Sequence, residues 1–285
     1  MDINGETRVF TIMGDPIAHT LSPVMYNAAF LALNKNCIYV AFKVGGNGLQ
    51  QAVNGLRALG VRGGNVTIPH KEKIITYLDS ISEEARLIGA VNTLYRDTDD
   101  RLCGANTDGP GFIEMLRKKE PESLKMKSAV ILGAGGSARA VAVSLVMAGI
   151  KEITLVNRAI EKAKVLADTL IKLGADVRCL NWNNPDLAAA VRESRLIVNT
   201  TPLGMEPRIE QMPALDPYWL SKNHLVVDLI YKPAETMLLA QAKKRGAKTM
   251  NGSGMLLEQA VLSFEIFSGS KAPVEVMTRE LERWL

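Results

Sequence analysis

Two charged groups in this chain stand where a sheet could present them to a ligand: the lysine that closes Asn65-Val-Thr-Ile-Pro-His-Lys71 and the aspartate inside Gly104-Ala-Asn-Thr-Asp-Gly109. Lys71 follows an apolar run that stops at a proline, which puts it where a strand ends and a helical turn begins. Open α/β sheets bind ligands at that edge. The same lysine also reads as a solvated first-turn residue, although a cation is disfavoured at that end of a helix. Asp108 reads either as the cap of a helix from Gly109 or as a carboxylate serving a site. Neither residue decides the matter alone.

A third stretch is more specific. Ser128-Ala-Val-Ile-Leu-Gly-Ala-Gly-Gly-Ser-Ala-Arg139 reads as strand, turn and helix, with Gly133, Gly135 and Ala138 at the positions of a G-x-G-x-x-G/A fingerprint. The first glycine permits the tight turn, the second lets a pyrophosphate approach the backbone, and the small third residue lets helix and strand pack closely. A dinucleotide pyrophosphate would meet unpaired N–H groups at the positive end of that helix. The next strand ends in Asn157-Arg158 with no acid to bind ribose hydroxyls, and a guanidinium suits a 2′-phosphate. NADP is therefore expected over NAD, with Arg139 as a second nearby charge. Arg158 also reads as an ordinary solvated loop residue. His19, His70 and His224 show no HxxxH or HExxH spacing, so no metal site is expected, and no GxSxG elbow is present.

These residues need elements to hold them. Short runs rich in Val, Ile and Leu alternate with segments of helical period, which predicts an α/β fold with parallel sheets covered on both faces. Strands are expected at 8–13, 37–42, 65–68, 128–132, 153–156, 177–180, 196–199 and 225–229, and a hairpin at 91–95 and 102–105. Helices are expected at 22–33, 49–59, 71–78, 82–88, 136–148, 160–173, 185–191, 254–267 and 274–285. Ser22 is expected to cap its helix, with Pro23 at the first helical position. The charged stretch 118–122 reads as a surface connection, and 202–217 as a loop.

Composition limits the choice of function. The 285 residues suit two domains, and 47% hydrophobic with 22% charged residues is an ordinary globular balance. A net charge of +4, spread without runs of like charge, suits a small anionic ligand better than nucleic acid. No apolar run is long enough for a membrane span, and the N-terminus lacks a signal-peptide pattern. Cys37, Cys103 and Cys179 are far apart, which predicts reduced thiols in a cytoplasmic protein.

Taken together, several segments resemble the shikimate dehydrogenases, including the related quinate/shikimate dehydrogenases. They are Gly14-Asp-Pro-Ile-Ala-His-Thr-Leu-Ser-Pro23, Asn65-Val-Thr-Ile-Pro-His-Lys71, Gly89-Ala-Val-Asn-Thr93, Asn106-Thr-Asp-Gly109, Gly133-Ala-Gly-Gly136, Asn157-Arg158, Asn199-Thr-Thr-Pro-Leu-Gly-Met205, Asp228-Leu-Ile-Tyr231 and Gly252-Ser-Gly-Met-Leu-Leu-Glu-Gln-Ala260. They run in the family's order from about residue 8 to 270. The resemblance implies a substrate domain at 1–107 completed by C-terminal helices at 252–285, and a Rossmann-type NADP domain at 108–251. It implies reversible hydride transfer between NADP(H) and shikimate or 3-dehydroshikimate, in aromatic amino acid biosynthesis. The motif match gives proton transfer to Lys71 with Asp108 beside it. It gives the substrate Thr20, Ser22, Thr67, Asn92, Asp108, Tyr231 and Gln259. It gives the cofactor Gly133, Ala134, Gly135, Gly136, Ser137, Asn157, Arg158, Leu229, Gly252 and Met255. The implied partner is a small-molecule substrate, in a monomer or homodimer without nucleic acid or membrane.

The chain departs from the family's pattern at three places. Thr20 stands where a serine is common, and its extra methyl shrinks the pocket. Asn157-Arg158-Ala-Ile-Glu-Lys162 replaces Asn-Arg-Thr-x-x-Arg, which loosens the expected phosphate clamp. Ser137-Ala138 inverts the commoner order, which is expected to be neutral. The first two keep a bifunctional quinate/shikimate enzyme using NAD or NADP as the alternative. Methylenetetrahydrofolate dehydrogenases also combine a lysine with a similar architecture, but a folate would want aromatic stacking surface, and aromatic residues make up only 5% of this chain. A non-catalytic NADP sensor would have no use for both Lys71 and Asp108.

Overall fold

The computed structural model describes residues 3–285 and divides into two compact units, Met1–Thr107 with Leu257–Leu285, and Asp108–Leu256. The first unit opens with β1 (Arg8–Gly14), α1 (Ser22–Ala32), β2 (Cys37–Lys43), α2 (Leu49–Ala58) and β3 (Gly63–Val66). A 3-10 turn (Lys73–Tyr77), β4 (Ser80–Ile81), α3 (Glu83–Ile88), β5 (Thr93–Arg96) and β6 (Leu102–Ala105) follow. Ser82 caps α3, its hydroxyl accepting from the N–H of Ala85 at 3.1 Å. The six strands form one sheet in the order β2-β1-β3-β5-β6-β4.

That sheet is mixed, with the expected hairpin lying in it as β5 and β6. β1 runs parallel to β2 and β3, but β5 pairs antiparallel with both β3 and β6. The short turn between β5 and β6 requires that pair to be antiparallel, and β5 alone runs against the other five strands. β3 also lies earlier than the expected 65–68, because it begins at two glycines that carry no strand signal. A Cβ on Gly64 would stand 1.8 Å from the carbonyl oxygen of Thr11, so only glycine lets the two backbones come this close. The expected helix at 71–78 is tightened to the 3-10 turn, with Lys71 ahead of it.

Ser22 does not cap α1. The flanking residue is Leu21, in helical conformation, and Ser22 is already the first helical residue; its N–H approaches Thr20 Oγ1 at 3.4 Å. A capping side chain needs an extended backbone at its own residue, and neither Leu21 nor Ser22 supplies one. The proline is still tolerated, because first-turn N–H groups lack helical partners wherever the helix starts.

The core of this unit lies on both sides of β1. Phe10 and Met13 are an odd number of residues apart and so point to opposite faces. Met13 joins Leu49, Val53, Leu56, Val66, Ile74 and Leu94. Phe10 joins an aromatic cluster with Tyr26, Phe30 and Phe267, its ring centroids 5.1 Å from Phe30 and 5.0 Å from Phe267.

The second unit starts at α4 (Asp108–Lys119), and the stretch read as a surface connection becomes the end of that helix and a 3-10 turn (Pro121–Lys125). Then come β7 (Ser128–Leu132), α5 (Gly136–Met147), β8 (Glu152–Val156), α6 (Ile160–Lys172), β9 (Asp176–Leu180), α7 (Leu187–Glu193) and β10 (Leu196–Asn199). A 3-10 turn (Pro217–Trp219), β11 (Leu225–Asp228), α8 (Met237–Lys244) and β12 (Lys248–Met250) complete its sheet. Its six strands are all parallel, in the order β12-β11-β10-β7-β8-β9. This is the doubly wound Rossmann order, with its switch point between β7 and β10. β4, α8 and β12 are the elements the sequence pattern did not announce. The chain ends in α9 (Ser253–Ser268) and α10 (Val274–Trp284). The three cysteines are free, no group of three or more metal-ligating side chains exists among the described residues, and no helix there is long and apolar enough to cross a membrane.

Candidate active site

The parallel sheet places the expected cofactor residues along one edge. Gly133 follows β7, Asn157 follows β8, Leu229 follows β11 and Gly252 follows β12, each at the carboxyl end of its strand. Backbone bonds hold them there: Gly133 N–H donates to Val156 (2.7 Å), Leu229 N–H to Asn199 (3.0 Å) and Gly252 N–H to Ile230 (3.0 Å). Gly133 has φ +116°, and a Cβ there would meet Thr200 Oγ1 at 2.4 Å. Gly252 lies against Leu229, whose carbonyl oxygen would be 1.9 Å from a Cβ. Buried Met255 lies in the first turn of α9.

The residues present fit a dinucleotide phosphate. Gly135 is exposed and a Cβ on it would meet nothing within 4 Å, so there is open room over the backbone. It precedes a helix of 12 residues with no side-chain cap and no acid in its first turn, so the positive end of the helix dipole favours an anion there. Ala134, Gly136 and Ser137 complete the turn. Arg158 is exposed beyond β8, where Asn157 Nδ2 donates to the carbonyl of Ala159 at 2.8 Å and shapes the loop.

One buried carboxylate supports this edge. Asp228 accepts from Asn199 Nδ2 (3.0 Å), Ile230 N–H (3.1 Å) and Thr236 Oγ1 (2.7 Å). Asn199 Oδ1 in turn accepts from the Thr201 N–H and hydroxyl. Burial raises the Asp228 carboxyl above its ordinary pKa, against the lowering effect of these three bonds. Burial also raises the Tyr231 phenol, which keeps it protonated and able to donate.

The first unit gathers the other group of residues. Thr67 and Lys71 follow β3, Thr20 and Ser22 lie at the start of α1, Asn92 directly precedes β5, and Gln259 lies on α9. The N–H of Val91 donates to the carbonyl of Lys71 at 2.7 Å, so the lysine's backbone is tied to the neighbour of Asn92. Asn92 and Gln259 are brought together, Nδ2 to Oε1, at 3.4 Å. Thr20, Thr67 and Lys71 are half-buried, and Ser22, Asn92 and Gln259 are buried. His70 packs inward, its Nε2 2.7 Å from the carbonyl of Val44, in a structural role. Asp108 and Tyr231 belong to the second unit, where Asp108 is the buried first residue of α4.

Beneath Asn92 lies a set of polar residues that was not assigned a role from sequence: Tyr39, Asn65, Thr93, Thr107 and Ser263. Thr93, Thr107 and Asn65 lie within the motifs quoted above. Ser263 had only one signal, its place one helical turn beyond Gln259.

A mixed α/β unit joined to a Rossmann-type unit, with an anion-ready glycine turn at its switch point, defines a dinucleotide-binding enzyme of two compact parts. Three sequence models match successive stretches: the shikimate dehydrogenase substrate-binding domain over residues 12–94, shikimate/quinate 5-dehydrogenase over 115–217, and the shikimate 5′-dehydrogenase C-terminal domain over 252–282. A shikimate dehydrogenase (NADP+) of Desulforamulus reducens is 45% identical over 99% of this chain and 97% of its own. A shikimate dehydrogenase solved in complex with NADP+ has a TM-score of 0.89 at 41% identity, covering 99% of this chain and 97% of that one. The Thermus thermophilus enzyme solved with NADP(H) and shikimate gives 0.85 at 36%, covering 98% and 100%. The chain belongs to the shikimate dehydrogenase family.

Proposed function

We propose that this chain is an NADP-dependent dehydrogenase that reversibly reduces 3-dehydroshikimate to shikimate. The reading is carried by an acid-free strand end bearing Arg158 and a substrate edge of neutral polar groups around Lys71, in a chain similar to its relatives over its full length. The unit at 1–107 with 257–285 takes the substrate, and 108–256, which holds Gly252 and Met255, takes the cofactor. NADPH, when bound, supplies the hydride to the substrate's carbonyl carbon. Lys71 gives the carbonyl oxygen its proton as the alkoxide forms and recovers one from the hydroxyl in reverse, with Asp108 orienting the pair. Thr20, Ser22, Thr67, Asn92, Tyr231 and Gln259 hold the hydroxyls and carboxylate, because hydroxyls, amides and a phenol bond without adding charge. Gly133, Ala134, Gly135, Gly136 and Ser137 cradle the pyrophosphate, and Asn157 and Arg158 hold the 2′-phosphate. Leu229 and Gly252 would also contact the cofactor, with Met255 near its nicotinamide. The enzyme works in the cytoplasm as a monomer or homodimer.

Initial rates, followed by nicotinamide absorbance and crossing shikimate and quinate with NADP and NAD, test the reading. The expected result is a tenfold or larger preference for shikimate with NADP, about 1.4 kcal/mol in transition-state binding. Comparable rates with quinate or NAD would replace it with the bifunctional activity and make Thr20 and Ala159 the residues to change. No turnover in any combination would remove it.

A further inference from the structure

The buried hydroxyls beneath Asn92 are arranged as a directed ring. Asn92 Nδ2 lies 2.9 Å from Thr107 Oγ1, Thr107 Oγ1 lies 2.8 Å from Ser263 Oγ, Ser263 Oγ lies 2.7 Å from Thr93 Oγ1, and Thr93 Oγ1 lies 2.8 Å from Asn92 Oδ1. The donors fix its direction. The backbone N–H of Thr107 can only donate, and it reaches Asn92 Oδ1 at 2.8 Å, so the amide oxygen faces inward. The Nδ2 then donates to Thr107, whose hydroxyl donates to Ser263, whose hydroxyl donates to Thr93, whose hydroxyl closes the ring on Asn92 Oδ1. Every contact shorter than 3 Å is used once.

A second chain of bonds holds Ser263 from below. Tyr39 donates its hydroxyl to Asn65 Oδ1 at 2.7 Å, and Asn65 Nδ2 donates to Ser263 Oγ at 3.0 Å. Burial pushes the Tyr39 phenol well above its usual range, so it stays a donor. Thr93 and Ser263 are fully buried, so water does not reach these groups to stand in for a lost partner. The ring leaves the other Nδ2 hydrogen of Asn92 on the side of Gln259 Oε1. Gln259, 3.4 Å away, is itself one of the residues that the proposed reading gives to the substrate.

We propose that Ser263 is a positioning residue for the substrate: through Thr107 and Thr93 it fixes the Asn92 amide with its N–H edge turned outward, so that Asn92 can only donate to a substrate hydroxyl. The inference rests on the reading of Asn92 as a substrate ligand. It also gives α9 two tasks four residues apart, with Gln259 facing the substrate and Ser263 orienting its neighbour.

Steady-state kinetics of Asn92→Ala, Ser263→Ala, Thr93→Val, Thr93→Ser and the Asn92→Ala/Ser263→Ala double variant test it. Ser263→Ala and Thr93→Val should each raise the shikimate KM about tenfold, with a smaller change in kcat and no change in the NADP KM. Thr93→Ser returns the hydroxyl and should bring KM back to within about threefold of the parent. In the Asn92→Ala background, Ser263→Ala should add less than about twofold, because its effect passes through the missing amide. A parental shikimate KM in Ser263→Ala, or an undiminished effect without Asn92, overturns the proposal. If Asn92→Ala alone leaves the shikimate KM unchanged, the assignment of Asn92 fails and the proposal falls with it. Where Ser263→Ala does not fold, the near-isosteric Thr93→Val and its serine counterpart carry the comparison. Equal KM values for those two would then overturn the proposal.

Discussion

Lys71 illustrates what a single residue contributes beyond its motif. Its backbone carbonyl accepts from the N–H of Val91, one residue from Asn92, so the main chain that carries the proposed proton donor is tied to the main chain that carries the proposed substrate amide. Lys71→Ala should lower kcat by about 10²–10⁴-fold with little change in the shikimate KM, since proton transfer is an interaction of the transition state. Steady-state rates check this, and near-parental turnover would remove the assigned role. Arg158 makes a separate case: it stands exposed past β8, with no carboxylate at that strand end. Arg158→Ala should raise the KM for NADP about tenfold or more and leave that for NAD nearly unchanged, because only the 2′-phosphate uses a guanidinium. Equal changes for the two cofactors would count against the assignment. The strand ends that carry them were legible in the sequence, Lys71 following a proline and Arg158 an apolar run. The capping role read for Ser22 was not sound, because capping depends on the backbone angles of the flanking residue, which its identity leaves open.

Elements hold these residues through close backbone contacts. β3 delivers Thr67 and Lys71 to the edge of its sheet, and it lies next to β1 only because Gly64 has no side chain. Gly64→Ala places a methyl group against the Thr11 backbone and an alanine at φ +138°, where L-residues are strained. It should destabilise the chain by more than about 2 kcal/mol, read as a lower urea midpoint at unchanged slope. An unchanged midpoint would show that the strands can move apart. Period-2 and helical-period patterns found most of the strands and helices here. They failed at β3, where glycines replace the apolar signal, and at the two- and three-residue strands β4 and β12, which are too short to show a period.

At the scale of the whole molecule, stability depends on pH through groups such as Asp228. Its folded-state pKa is raised by burial, so the native chain holds this proton more tightly than the unfolded chain. The proton's contribution is fully present below the ordinary carboxyl range, near pH 4, and is lost as pH rises through the folded-state value. Asp228→Asn removes the titration while keeping the shape. The Tm of this variant relative to the parent should therefore rise between mildly acidic and neutral pH and then level off. A difference that is flat or falling over that range would mean the carboxylate is stabilised more by its three bonds than it is penalised by burial.

The sequence by itself determined where the glycine turn falls and which strands run parallel around it, because these features depend on residues within a few positions of one another. Its motifs, in order along the chain, were enough to name a family. The pairing of β5 against β3, the inward carboxylate of Asp228 and the hydroxyl ring beneath Asn92 were decided by the tertiary structure. Ser263 and Thr93 are 170 residues apart in the chain and 2.7 Å apart in space. No local propensity records such a contact; it exists because α9 packs against the sheet and buries hydroxyls that must then find partners in one another.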